Sequence, residues 1–399
     1  MLNRRQFMIA ATTAAAATVL GGCVAKKVVP EERSMNFGFE DLVTATPRWA
    51  DYGPNLQKAH VNTISLAVGR TDWLAFEWSA VPEISANMVQ ESGTDYVAEA
   101  LDKLGKFLPK DYQLTLTIDA LLPNWISQQA NLAGTTPSGK KSSEFASVTA
   151  LTEGAVAERL VNLVGELCTR YTPHRIALTE LMFDNATFGE DDLKSYCTTT
   201  GAKDWPRRND GSINESHASI GQWRSKALAS LLSKVKAEAR RHDDTQLDVD
   251  VRAPWDDAEG DRTESGHNYK MLLESVDRIV VWNYFGLENK PPTYGGEVTK
   301  ELKKSFSDNF TMSSGLWAPD NQTVSPRDEP AGRGQGRRKL RLRDPRQHDD
   351  PRPLARAGKN LGRGLTRYAR ARNRVTNHTA RKITPSSSAI MGEVAASIR

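Results

Sequence analysis

The chain has 399 residues, 39% of them hydrophobic and 26% charged, which is enough for a real core and excludes a peptide or a wholly disordered protein. The formal net charge of +4 hides an asymmetry: residues 1–326 carry 34 Lys+Arg against 43 Asp+Glu, whereas residues 327–399 carry 19 against 6. The basic segment has no Trp or Phe and one Tyr, Tyr368, so it lacks the aromatic anchors of the acidic body.

In chain order, Asn3-Arg4-Arg5-Gln6-Phe7 and the Ala-rich run from Met8 to Leu20 have the charged-then-apolar order of an export signal. The adjacent arginines point to the twin-arginine route. The run is short for a membrane span. It ends in Leu20-Gly21-Gly22-Cys23, which resembles the lipobox of bacterial lipoproteins. That resemblance implies that residues 1–22 are removed and that Cys23 is lipidated. The protein is then exported and anchored to the membrane on its extracytoplasmic side, with residues 23–50 as lipidated Cys and tether. An ordinary signal peptide with a chance Cys is the competing reading. Cys168 and Cys197 remain, and their isolation, with no CxxC spacing, argues against a metal site. They read as buried thiols, or as a disulfide in an exported protein. No cofactor is expected.

From residue 51 to 326, β-type runs alternate with helical patterns, the order of a parallel α/β architecture. Strands are expected at His60–Val68, Gln113–Asp119, Arg175–Phe183, Gln246–Arg252, Arg278–Phe285 and Phe310–Trp317. Helices are expected at Asp95–Phe107, Leu151–Tyr171, Ser219–Arg241, His267–Ser275 and Glu297–Phe306. Long stretches after strands, Trp125–Ser147 and Asp184–Gly211, read as large loops on one face. The expected fold class is α/β, a (β/α)8 TIM barrel with six recognisable strands, incomplete at its C-terminal end. A doubly wound sheet is disfavoured because Gly69-Arg70-Thr71-Asp72 lacks the spaced glycines of a phosphate turn.

Strand parity sharpens this picture. Leu114, Leu116 and Ile118 share one face, and Thr115, Thr117 and Asp119 share the other. Leu247, Val249 and Val251 likewise oppose Asp248, Asp250 and Arg252. In a barrel the apolar set packs on helices and the polar set points inward, although a solvated antiparallel sheet would alternate in the same way.

Carboxylates recur at the strand ends: Asp72, Asp119, Glu180, Asp184, Asp250, Asp256 and Asp257. Glycoside cleavage needs such convergence, because one carboxyl protonates the leaving oxygen while another acts as nucleophile or base, or orients the substrate. Trp73, Trp78, Trp125, Trp255, Trp282, Tyr284 and Trp317 supply faces of the kind that stack on pyranose rings. The competing reading makes the tryptophans core fillers and the carboxylates loop caps. For one residue the two readings balance; for the whole set the functional one gains weight. With seven His and no HxH, HExxH or GxSxG, zinc hydrolases and α/β-hydrolases find little support, and Asp248-Val249-Asp250 is weak evidence for a cation site.

The segment Leu181-Met182-Phe183-Asp184-Asn185-Ala186, followed by Glu190-Asp191-Asp192, resembles a motif in the C-terminal glycoside-hydrolase domain of bacterial poly-β-1,6-N-acetylglucosamine deacetylase lipoproteins, where a strand ends in Phe-His-Asp-Asp-Ala. Val276-Asp277-Arg278-Ile279-Val280-Val281-Trp282-Asn283-Tyr284-Phe285 is similar to a later strand of that domain, which ends in an aromatic substrate-binding turn. With the lipoprotein leader, the resemblance implies a (β/α)8 hydrolase acting on an extracellular aminosugar polymer, with Asp184 as main catalytic carboxylate. Two departures stand out: Phe183 replaces the His and Asn185 the second Asp. The deacetylase half that precedes the barrel in the family has no counterpart, so the resemblance is to the hydrolase half alone.

Residues 327–399 hold 16 Arg and only 3 Lys and offer no β-branched run up to Ser387. Three explanations fit this tail: a disordered basic segment on anionic polymer or lipid, a nucleic-acid arm, or translation out of frame in a GC-rich gene. Export and the lack of interleaved aromatics disfavour nucleic acid, and the abrupt end of the strand–helix pattern favours the frame shift.

The sequence thus points to a lipid-anchored glycoside hydrolase acting on a cell-envelope or extracellular polysaccharide. Its catalytic candidates are Asp184, Glu180, Asp119 and Asp250; its substrate-binding candidates are Trp282, Tyr284, Trp255, Arg252 and Asp72. A non-catalytic polysaccharide-binding lipoprotein on the same scaffold is the alternative.

Overall fold

A computed structural model describes residues 32–44, 46–183, 186–286, 288–314 and 393–396. In chain order, β1 (Arg33–Phe37) leads through α1 (Phe39–Leu42) and α2 (Trp49–Lys58) to β2 (Thr63–Arg70) and the two-residue β3 (Trp73–Leu74). Helices α3 (Asn87–Ser92) and α4 (Tyr96–Gly105) precede β4 (Gln113–Asp119). Next come α5 (Pro123–Gln128), the hairpin strands β5 (Ala133–Thr135) and β6 (Lys141–Ala146), α6 (Val148–Glu153), α7 (Ala155–Tyr171) and β7 (Arg175–Thr179). Helices α8 (Glu190–Thr200) and α9 (Ala218–Ala239) lead to β8 (Gln246–Arg252), α10 (Tyr269–Leu273) to β9 (Arg278–Asn283), and α11 (Tyr294–Phe306) to β10 (Phe310–Ser314). The described chain ends with β11 (Glu393–Ala396).

Strands β1, β2, β4, β7, β8, β9 and β10 are neighbours in that order, and every pair is parallel. Sequential winding with no reversal of direction is the topology of a barrel; a doubly wound sheet would turn back at a switch point. Among the described residues the architecture is therefore an incomplete (β/α)8 barrel. β3 lies antiparallel on β2, and β11 antiparallel on β1.

The alternation read from the strands is realised. Leu114, Leu116, Ile118, Leu247, Val249 and Val251 are all buried in the hydrophobic core. On the opposite face, Ser65 and Thr117 hydroxyls meet at 2.8 Å across β2 and β4. Near the N-terminal ends of β7, β8 and β9, Asp248 accepts from Arg175 at 2.8 Å and from Arg278 Nη2 at 2.6 Å, and Arg278 also pairs with Glu32 at 2.5 Å. This buried ion network packs one end of the barrel and leaves the C-terminal strand ends for the candidate site.

Several expectations are corrected. Six strands were expected, but a seventh parallel strand, β1, comes from residues assigned to the tether, since five alternating residues give almost no periodic signal until β2 pairs with them. The first expected strand begins at Thr63 because His60 takes φ 54° in the turn after α2. The third stops at Thr179, because Glu180 takes φ 60° and ends the extended run, so Glu180 lies beyond the strand. The expected helix Leu151–Tyr171 is divided by Gly154 into α6 and α7. The stretches expected as loops contain α5, the β5–β6 hairpin and α8. Residues 1–31, Asp184, Asn185 and 315–392 lie outside the described residues, and with them Cys23, Trp317 and most of the expected tail.

Candidate functional site

The strand register assembles the site. Arg70 of β2 lies beside Asp119 of β4, and Asp119 beside Thr179 of β7. Leu178 pairs with Val249, which places Asp250 next along the same rim, and Arg252 pairs with Trp282 of β9. Five neighbouring strands thus bring polar residues to the C-terminal end of one curled face. Asp119 is half-buried, and its Oδ1 accepts the Leu121 N–H at 2.7 Å. Asp250 accepts the Trp282 indole N–H at 2.9 Å. Trp282 and Tyr284 are half-exposed, with ring centroids 5.5 Å apart and planes inclined at 56°.

Glu180 follows β7 directly. It is 6% exposed, and its backbone takes φ 60°, a conformation unfavourable for a residue with a long side chain and common where function over-determines local geometry. Asp184 lies outside the described residues, but both flanks of its loop are fixed. Phe183 N–H donates to the Ser265 carbonyl at 3.1 Å, and Phe188 N–H donates to the Thr135 carbonyl of β5 at 2.8 Å. A Cβ on Gly134 would meet the Ala186 carbonyl oxygen at 2.1 Å, so glycine allows β5 to seat directly on this loop.

Three further substrate-binding candidates, Asp72, Trp255 and Arg252, have structural partners. Asp72 is buried; Oδ1 accepts from Arg70 Nε at 2.9 Å, and Oδ2 accepts Asn124 N–H at 2.8 Å and Trp125 N–H at 3.1 Å. It joins the loop after β2 to the start of α5 and caps two donors that the helix leaves open. Arg159 stacks over Trp125 at 3.7 Å from the ring centroid and donates to the Thr71 carbonyl at 3.3 Å, reinforcing that joint. Trp255, in the loop after β8, stacks on Tyr294 at 5.7 Å and 26°. Arg252 directs Nε to Met182 Sδ, which links β8 to the Asp184 loop.

Sequence reasoning missed four residues around this rim. Arg70 neighbours Asp119 and holds Asp72. His267 is fully buried; its Nδ1 accepts the Arg252 N–H at 3.1 Å, so the proton sits on Nε2, which donates to the Leu181 carbonyl at 3.0 Å. Arg224 of α9 reaches Thr187 in the same loop. Asp192, near the start of α8, is fully buried; Oδ1 accepts both the N–H and the hydroxyl of Thr149 at 3.0 Å, while Oδ2 has no hydrogen-bond partner. Desolvation by burial pushes its carboxyl up to about 7, against the bonds from Thr149 that favour the charged form. Only Arg224 leaves a sequence signal, as a lone charge in the apolar stripe Ile220, Trp223, Leu228, Leu231. His267 and Asp192 are defined by partners 15 to 86 residues away in sequence.

Among the described residues no group of three or more His, Cys, Asp or Glu could hold a metal ion, and no helix is long and apolar enough to cross a membrane. Cys168 is buried, which pushes its thiol up to about 11, and Cys197 is half-buried; both are free thiols, which selects the unpaired reading. The arrangement offers carboxylates of differing burial beside aromatic faces, the ingredients of acid–base chemistry on a polyhydroxylated substrate.

No family model and no curated protein matches the sequence. Solved structures do match in fold. The glycoside hydrolase domain of PgaB (BpsB) from Bordetella bronchiseptica superposes with a TM-score of 0.51 at 10% identity, over 72% of this chain and 85% of that one. The catalytic domain of a β-amylase from Paenibacillus polymyxa gives 0.48 at 12% identity, over 70% and 84%. The first similarity shows the barrel fold.

Proposed function

We propose that the protein is a glycoside hydrolase that cleaves an extracellular or cell-envelope aminosugar polysaccharide by carboxylate chemistry. The observation that carries this reading is Glu180: a buried carboxylate on a left-handed backbone, at the C-terminal barrel rim, directly after β7, the strand between those that present Asp119 and Asp250. Asp184, four residues on in the same loop, shares the catalytic role, and Trp282 with Tyr284 forms the sugar platform. The aminosugar part rests on the resemblance of the 181–192 segment and on the fold it shares with the PgaB domain.

The test is incubation of the purified protein with poly-β-1,6-N-acetylglucosamine, both fully and partly N-acetylated, reading new reducing ends. Turnover that Glu180→Gln or Asp184→Asn removes, with retention on the immobilised polymer unchanged, supports the enzyme. Retention without turnover in the parent protein supports the binding alternative; neither would sink both. The export and anchoring reading belongs to Cys23: Cys23→Ala should move the protein from the membrane fraction to the soluble extracytoplasmic fraction, and an unchanged distribution would overturn it.

A further inference from the structure

The loop after β7 carries Glu180 and Asp184, and the loop after β8 carries Trp255. Both are gripped from outside the barrel by one side chain. Arg224 lies on the core-facing stripe of α9 and is 2% exposed. Its Nε and Nη2 donate to Thr187 Oγ1 at 3.0 and 2.6 Å, and its Nη1 donates to the Glu264 carbonyl at 2.5 Å. The guanidinium carbon stands 5.3 Å from the Phe188 ring centroid. The surrounding backbone is fitted to it: Gly266, at φ 89°, would place a Cβ 2.9 Å from Phe183 and 3.3 Å from the Arg224 Cβ. The two loops also touch through the Phe183–Ser265 bond.

If this position required only volume, an apolar side chain would fill it without the desolvation cost of a buried guanidinium. A planar fork with donors on separate edges can instead fix two loops at once, which leucine or methionine cannot do. We infer that Arg224 is the positioning residue of the site: it holds the β7 and β8 loops in one fixed relation, and thereby Glu180 of one relative to Trp255 of the other. The inference rests on the proposed hydrolase reading for its catalytic meaning, but its geometric content stands on the loops alone.

Amide hydrogen exchange of the full chain, with Arg224→Met and Thr187→Val beside the parent, tests it without any need for turnover. Arg224→Met should speed exchange in both 181–189 and 261–267 by at least about tenfold, while β4 and β8 keep their protection. Thr187→Val removes one acceptor only and should loosen 181–189 while leaving 261–267 as it was. On the polymer, Arg224→Met should lower kcat roughly a hundredfold with KM within about threefold, and Arg224→Lys should recover little of it, because an ammonium lacks the fork. Unchanged exchange in both loops, or loosening of one loop alone in Arg224→Met, overturns the inference. So does protection lost equally across β4 and β8. Should Arg224→Met fail to fold, Thr187→Val decides alone, since equal exchange in parent and variant would overturn the clamp. If the exchange pattern holds but no polymer is cleaved, the hydrolase reading fails and the clamp survives.

Discussion

Trp282 donates its indole N–H to Asp250 Oδ2 at 2.9 Å, so a ring presented by β9 and a carboxylate presented by β8 act as one unit on the barrel rim. The partners lie diagonally across the pair, since Trp282 is in register with Arg252 and Asp250 with Val280. Trp282→Phe keeps a flat face but removes the donor. A hydrogen bond to a charged group contributes about 1.5–3 kcal/mol, so kcat/KM on the polymer should fall by about tenfold or more. Steady-state kinetics of Trp282→Phe, Asp250→Asn and the double variant checks this: the effects should be strongly non-additive, and simple additivity would show that the two residues work separately.

Glu180→Gln retains size and the left-handed backbone while removing the ionisable group. Turnover should fall by about 10²–10⁴-fold, with the unfolding temperature within a few degrees of the parent. A variant as active as the parent would remove Glu180 from the chemistry and leave Asp184, Asp119 and Asp250 as the candidates.

Asp192 makes stability depend on pH in an unusual direction. Its carboxyl titrates near 7 in the folded protein, above the ordinary 3.8, so between those values the folded state holds a proton that the unfolded state has lost. Stability from this residue is therefore present at low pH, declines as pH rises from about 4 to 7, and levels off above. Asp192→Asn keeps the Oδ1 acceptor for Thr149 and replaces the unpartnered oxygen by a neutral amide. It should raise stability at pH 8 by a few kcal/mol and flatten the decline, as read from urea unfolding at several pH values. An unchanged pH dependence would show that Asp192 is ionised and compensated in the fold.

At the other end of the barrel, Arg278→Met would leave the buried Asp248 with Arg175 and free Glu32 from its partner. Breaking a buried pair by removing one member costs about 3–5 kcal/mol, so the urea midpoint should drop sharply. The joint variant Arg278→Met, Asp248→Leu should recover part of the loss. No recovery would show that the network fixes geometry beyond its own charge balance.

The sequence by itself determined the order and faces of the barrel strands. Gln113–Asp119 and Gln246–Arg252 alternate over seven residues, and the structure has strands at those positions with the expected residues buried. Local periodicity suffices there because each strand buries one face whatever its neighbours are. It also marked Asp119, Asp250 and Trp282, which parity and strand order bring to one rim. What only the tertiary structure decided is which side chains support others. Asp72 reads as one more rim carboxylate until α5 places two N–H groups on it; Arg33–Phe37 reads as tether until β2 lies alongside. His267, Asp192 and Arg224 gain their roles from loops that are distant in sequence. A hydrogen bond across 40 or 80 residues leaves no periodic trace, because its direction is set by packing of the elements and not by the residues next to it.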